Sequence, residues 1–402
     1  MRVILFSGKG GTGKSVISCA TGMLTSESGY DTLVMSADPA HSLADAFEMH
    51  VGDEPVKLAP HLSAVQIDPS KEMARSYGAI QDYLASIFTS RGIDETLAYE
   101  ISSLPTMTYL FALLRIEEIA RKGQYDVIVL DTVPSGETLR YLYFPRLIGS
   151  VSRKLIKLMG PMAGMAKLVE PLVGIPAPNK SVFKSQIELI ERMERLSAIL
   201  KDNDQSSLRL VANPDLFSTE NLKRSLMISS LYGISSDLAI INKIIPEDVS
   251  EPFFDKWKVA QTQRIREVED AVYPLPVKKA RLFPSELKGV EMLRRCGKEL
   301  YGDEDPAKIY YKGVPFKLES RDEEVEITVR VPFSEKEDFK VERIGEELVL
   351  KVRTKMGYAI NVIPLPAITL KMNLNRARLL NDELHVIFRV EDGKVQEGRR
   401  RP

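Results

Sequence analysis

Near the start of the chain, the run Gly8-Lys9-Gly10-Gly11-Thr12-Gly13-Lys14-Ser15 concentrates more chemistry than any other stretch of similar length. Gly8, Gly13, Lys14 and Ser15 satisfy the spacing GxxxxGK[ST], in which glycines let backbone N–H groups wrap a phosphate chain. The helix expected to follow would add its positive end to the same point. Lys14 is placed to reach the β- and γ-phosphates of a nucleotide, and the Ser15 hydroxyl to ligate Mg²⁺. Nucleotide contacts are therefore expected from Gly8 through Ser15 and on to Val16. Lys9 does not fit this scheme. It puts a long cation into a turn that ordinarily takes small residues.

Other chemistry is limited by composition. The chain has two cysteines, Cys19 and Cys296, and no CxxC. Soft metals select clustered sulfur, so this usage argues against an arsenite or sequence-local zinc site and fits a reducing compartment. A net charge of −1 gives no global field for nucleic acid or anionic lipid. The stretch LIKLMGPMAGMAKLVEPLVGIP carries Met159, Met162 and Met165 beside Leu168 and Leu172. Methionine-rich surfaces adapt to varied apolar partners. Gly160, Pro161 and Gly164 disfavour a regular helix there. Two readings stay open for it, an apolar client surface about residues 145–185 and ordinary core or dimer contact. Its charges and prolines make it a poor membrane span, so a cytoplasmic protein is expected.

These residues need elements to hold them. Apolar, β-branched runs at Val3–Ser7, Thr32–Ala37, Asp126–Asp131, Leu208–Asn213 and Leu238–Asn242 read as strands buried on both faces. Helical stretches such as Ser15–Glu27, Leu110–Arg121 and Ser185–Leu200 alternate with them. The pattern predicts a doubly wound α/β domain over 1–302, the fold of P-loop nucleoside triphosphatases. Residues 303–313 are polar and read as a linker. Beyond them VEITVRV, ELVLKVR and ELHVIFRV alternate with period 2, which predicts a small all-β sandwich at 314–392. The basic tail 393–402 reads as solvated.

GKGGTGKS resembles the deviant phosphate loop GKGGxGK[ST] of the dimeric ATPases that include the nitrogenase iron protein. SADPAHSLADAF (Ser36–Phe47) and DTVPSGETLRYL (Asp131–Leu142) resemble the first and second switches of the arsenical pump and tail-anchored-protein targeting ATPases. That resemblance implies a homodimer in which Lys9 crosses to the partner's nucleotide, as an arginine finger supplied in trans does. It implies that Asp38 acts on the attacking water and that Asp131 holds the Mg²⁺ shell, through water. Asn242, in INK, would read adenine or else cap a loop; His41 would be a switch residue or a structural histidine. Two residues depart from the pattern, Ser42 for the usual Asn and Glu137 for the usual His.

The resemblance further implies that ATP and Mg²⁺ drive capture and release of hydrophobic protein clients, such as tail-anchored membrane proteins, with a membrane receptor and no nucleic acid. A nucleotide-gated holdase and a partitioning ATPase are the competing readings. The zinc-holding CxxC of the targeting proteins is absent, so the dimer would close without it. YAINVIPLP and NRARLLNDELHVIF resemble the α-crystallin domain of small heat-shock proteins, with Leu365-Pro366, Ala377 and Asp382-Glu383-Leu384 in the matching places. Glu383 stands where that family usually has Gly, and no I-x-I motif follows Val390.

Overall fold

A computed structural model of the protein describes residues 1–37, 42–102, 105–132, 180–313, 316–321, 324–354, 357–366, 368–369 and 372–390. Asp38, His41, Glu137, Met159, Met162, Met165, Leu168 and Leu172 lie outside the described residues. Two compact units account for the chain. One comprises Met1–Ser225 and Ile234–Gly313; the other comprises Leu226–Gly233 and the residues from Val314 on.

The first unit is built on one sheet of order β3-β4-β2-β5-β1-β6-β7-β8. Its central strands are β1 (Arg2–Ser7), β2 (Thr32–Ser36), β5 (Val127–Asp131), β6 (Ser206–Ala212) and β7 (Ser236–Ile244). They coincide with the apolar runs of the sequence. β2 and β5 are buried at every position, as the interior of a sheet covered on both faces requires. β3 (Val56–Ala59), β4 (Leu62–Gln66) and β8 (Val277–Arg281) extend the sheet, and only the β3–β4 pair is antiparallel. The chain winds from β1 towards β2, returns to insert β5, then continues past β1 to β6. That reversal puts β1 at the topological switch point, where open α/β sheets leave a crevice at the carboxyl ends of their strands.

The described helices are α1 (Lys14–Glu27), α2 (Ser42–Phe47), α3 (Pro69–Ser90), α4 (Glu95–Ser102), α5 (Pro105–Lys122), α6 (Lys180–Lys201), α7 (Leu216–Tyr232), α8 (Asp255–Val272) and α9 (Gly289–Tyr301). α9 packs closely on α1 at Gly297, where a Cβ would stand 2.7 Å from Leu24 Cγ and 2.9 Å from the Ala20 carbonyl oxygen. α1 lies as closely on β2 at Gly22, where a Cβ would stand 2.2 Å from a Val34 methyl. Cys19 and Cys296 are buried in this core as free thiols.

Residues 303–313 do not form the free linker that their polar composition implies. They pack on the first unit through a buried charge. Arg209 of β6 is fully buried and its guanidinium faces the Asp237 carboxylate at 3.4 Å. It also donates to the Tyr301 hydroxyl at 3.0 Å and to the Lys308 carbonyl at 3.0 Å. Arg2 donates to the Ala307 carbonyl and pairs with Asp237 at 3.2 Å, while the Tyr310 ring lies 5.2 Å from the Arg209 guanidinium carbon. An arginine in an apolar strand draws the following polar segment over itself, because its donors must all be met.

In the second unit, β9 (Phe316–Arg321), β10 (Glu324–Arg330), β14 (Met372–Leu380) and β15 (Glu383–Val390) form one antiparallel sheet. β11 (Phe339–Ile344), β12 (Glu347–Thr354) and β13 (Gly357–Pro364) form the other. Period-2 burial is literal in β10, where Val325, Ile327 and Val329 are buried and the alternate residues are half-exposed. Asn381 and Asp382 join β14 to β15 with φ of 47° and 62°, the two left-handed positions of a type I′ hairpin. Glu383 therefore starts the strand and needs no glycine.

Candidate functional site

The phosphate loop sits between the carboxyl end of β1 and the first turn of α1. Gly11 and Gly13 both have φ of 83°, in the left-handed region where a Cβ is strained. A Cβ on Gly8 would lie 2.2 Å from the Val211 carbonyl oxygen, so the loop can pass β6 only as glycine. Gly13 caps α1 without a side-chain hydrogen bond, and the first turn of the helix carries no acidic residue. The N-terminal N–H groups are thus uncapped by side chains, and the positive helix end is not neutralised locally. That combination suits an anion.

Lys14 and Asp131 meet at the centre. The Lys14 Nζ lies 2.5 Å from Asp131 Oδ1, and both side chains are buried. Asp131 reaches this point because β5 is the neighbour of β1, in register with Phe6. Ser15 is half-buried beside them and lines a cleft of about 710 Å³. Another wall of the cleft runs from Arg281, the last residue of β8, to Lys288, and Val16, Ala46, Asn242 and Lys243 also line it. Phe283, Pro284 and Leu287 give it an apolar side suited to a flat ring, with the phosphate loop at one end.

Asn242 is buried at the end of β7, and its Nδ2 donates to the Thr12 carbonyl at 2.8 Å. Asn242 also lines the cleft. Lys243 follows with φ of 59°, and its Nζ donates to the Gly11 carbonyl at 2.8 Å. Thr12 closes the turn by donating through Oγ1 to the Lys9 carbonyl at 2.8 Å. Gly10 and Lys9 are exposed. The Lys9 ammonium does not line the cleft; it stands 5.3 Å from the centre of the Phe217 ring, itself 72% exposed at the start of α7.

Gly13, Ser15, Val16 and Asn242 thus line the cleft, Lys14 pairs with Asp131, Asn242 ties to Thr12 and Lys243 to Gly11, while Lys9 stands exposed over Phe217. Sequence reasoning missed the Arg281–Lys288 wall, Phe217 and the part played by Lys243. The only sequence signal for the wall is the compact Phe283-Pro284 after a short strand. Neither thiol belongs to the site. Burial pushes the Cys296 thiol up to about 12 and the Cys19 thiol well above its ordinary range. Thiols held protonated in a core are poor metal ligands. No group of His, Cys, Asp and Glu among the described residues is arranged to hold a metal ion by protein ligands alone.

Residues 1–302 match the family described as anion-transporting ATPase, and residues 322–388 match the HSP20-like domain found in ArsA. The chain belongs to the anion-transporting ATPase family. It is 33% identical over 399 residues to a putative arsenical pump-driving ATPase of Chlorobaculum tepidum, covering 97% of this chain and 96% of that one. Identity is also 33% over 402 residues with putative arsenical pump-driving ATPase 1 of Aquifex aeolicus, covering 96% and 100%. ATPase get3 of Aspergillus terreus is 27% identical over 311 residues, covering 73% of this chain and 89% of its own. The protein is an ATP hydrolase, and the nucleotide-binding domain and the HSP20-like domain are both accounted for.

Gly13 supplies the first test of the loop. Alanine there would bring a Cβ within 2.4 Å of Asn242 Nδ2 while holding φ near 83°. Strain of this kind costs of order 1–3 kcal/mol, so Gly13→Ala is expected to weaken ATP binding by about ten-fold or more. Isothermal titration of the variant, with its circular dichroism unchanged, checks this.

Proposed function

We propose that this ATPase works as a Mg²⁺-dependent homodimer whose nucleotide cycle captures and releases hydrophobic protein clients. The observation that carries the dimer is the placement of Lys9. It is exposed on Phe217, while the Lys14 ammonium pairs with Asp131 and that of Lys243 is held on the Gly11 carbonyl. A second cation held outside the cleft in the loop's own turn has its natural target on another subunit. The motif resemblance to dimeric ATPases supports the same reading.

Within one subunit, the residues fit nucleotide and metal. Backbone N–H groups at the start of α1 and the Lys14 ammonium would hold the phosphates. The Asn242 amide oxygen would accept from an exocyclic amino group of adenine, with Phe283 and Leu287 against the ring. The Ser15 hydroxyl and the Asp131 carboxylate, through water, are hard oxygen donors of the kind Mg²⁺ prefers. Mg²⁺ supplies neutralisation of charge on the β- and γ-phosphate oxygens when bound. Asp38 would orient or activate water, a role resting on the motif alone.

For the client we propose the segment about residues 145–185, with Met159, Met162, Met165, Leu168 and Leu172 as contacts. Tail-anchored membrane proteins are the client class that the switch motifs favour, with a membrane receptor to accept them. No described helix is long and apolar enough to cross a membrane. Both thiols are buried free in the core and burial keeps them protonated, which weighs against arsenite as the cargo. The net charge of −1 weighs against a partitioning role on DNA or lipid.

The test is capture of a hydrophobic helical segment by Met159→Ser/Met162→Ser/Met165→Ser, read together with the ratio of client-stimulated to basal turnover. Both are expected to fall. Loss of folding or dimerisation instead would make these methionines core or interface residues. Client retention that ignores hydrolysis would favour the holdase.

A further inference from the structure

Asn242 and Lys243 are consecutive residues of β7, and in a regular strand consecutive side chains point to opposite faces. Here both reach the phosphate loop. Two features explain it. Lys243 has φ of 59°, a conformation that costs a non-glycine residue and persists where the surroundings fix it. The register between β7 and β8 also slips at this point, with Ile241 opposite Lys279 but Ile244 opposite Arg281. β7 thus carries one extra residue, a bulge, and bulges beside functional sites re-aim a side chain.

The two donors act on adjacent peptide planes. A trans peptide holds its C=O and N–H on opposite sides. Holding the Thr12 carbonyl at Asn242 turns the Gly13 N–H the other way. Holding the Gly11 carbonyl at Lys243 turns the Thr12 N–H towards Lys9, whose carbonyl accepts it at 3.3 Å. Lys243 therefore closes the same turn that the Thr12 hydroxyl closes.

We propose that Lys243 is a positioning residue for hydrolysis, pinning the Lys9–Thr12 turn so that Lys9 is presented at a fixed place. The consequence for rate rests on the reading that Lys9 serves a partner's nucleotide; the pinning itself does not. Lys243→Gly is the informative variant, because glycine accepts φ near 59° and removes only the side chain.

Lys243→Gly is expected to lower kcat for ATP about ten-fold with KM changed less than about two-fold. It should also speed amide hydrogen exchange in peptides covering Gly8–Ser15. Lys243→Arg, which keeps a cation, should recover most of both. In a Lys9→Ala background, Lys243→Gly should add no further loss of turnover. Unchanged exchange in Lys243→Gly overturns the pinning, and a raised KM with unchanged kcat overturns the positioning role, leaving Lys243 as cleft wall. Full hydrolysis by Lys9→Ala would instead overturn the reading of Lys9, and the exchange measurement would still decide whether the turn is pinned.

Discussion

Lys9→Ala is expected to bind ATP nearly as the unaltered protein does and to lose about 10³–10⁵ in turnover, the range of a trans-acting finger. Lys14→Ala is expected to fail earlier, at binding. The difference follows from placement. Lys14 is buried at the loop's centre against Asp131, where any bound phosphate must displace or share its ammonium. Lys9 is solvent-exposed, with its ammonium over the Phe217 ring.

Subunit mixing turns this into a direct test. In a dimer of one Lys9→Ala and one Asp38→Asn subunit, one nucleotide faces both an intact Asp38 and an intact Lys9. Random two-fold assembly from equal amounts should then restore about a quarter of full activity. Titration calorimetry gives the binding arm and phosphate release gives the rate. If labelled heterodimers form and no activity returns, the lysine does not act across the interface. If Lys9→Ala fails to bind ATP, it belongs to its own subunit's cradle.

The second large effect concerns stability. Arg209→Met in the full chain is expected to cost about 3–5 kcal/mol, because it leaves the Asp237 carboxylate in the core short of a partner. Arg2 remains at 3.2 Å from Asp237 and limits the damage. The same substitution frees the Lys308 carbonyl and removes one of the cations at the Tyr310 ring, where Lys278 and Lys308 remain, so residues 303–313 should become protease-sensitive before the rest of the domain unfolds. A double variant Arg209→Met/Asp237→Leu should regain part of the loss, since deleting both charges of a buried pair is milder than deleting one. Denaturant midpoints with limited proteolysis measure both parts. A shift under about 1 kcal/mol for the single variant would show that this cluster does not hold the segment.

The sequence by itself determined the local features. The phosphate loop was legible because its chemistry is set by spacing within a few residues, and β1, β2, β5, β6 and β7 because buried parallel strands must be apolar throughout. Period 2 marked β10, β12 and β15 for the complementary reason, that one face of each is covered. β8 went unread because VKKAR lies at the sheet edge, where only Ala280 is buried. β3, β9 and β11 are likewise strands whose exposed or half-exposed residues dilute the pattern, whereas β4, LSAVQ, is nearly all buried but carries small and polar residues in place of an apolar run.

What only the tertiary structure decided are relations between distant segments. Arg209 looks misplaced within LRLVAN until Asp237, Tyr301 and Lys308 surround it. Lys243 was visible beside Asn242, but a bulge and a left-handed φ, neither of which a lysine announces, aim it at Gly11. The Arg281–Lys288 wall has no motif because an apolar side for a ring can be made by many residues. Lys9 is the intermediate case: its oddity was plain in the sequence, and the fold shows it standing outside the cleft, because the turn that carries it faces solvent rather than the loop's own centre.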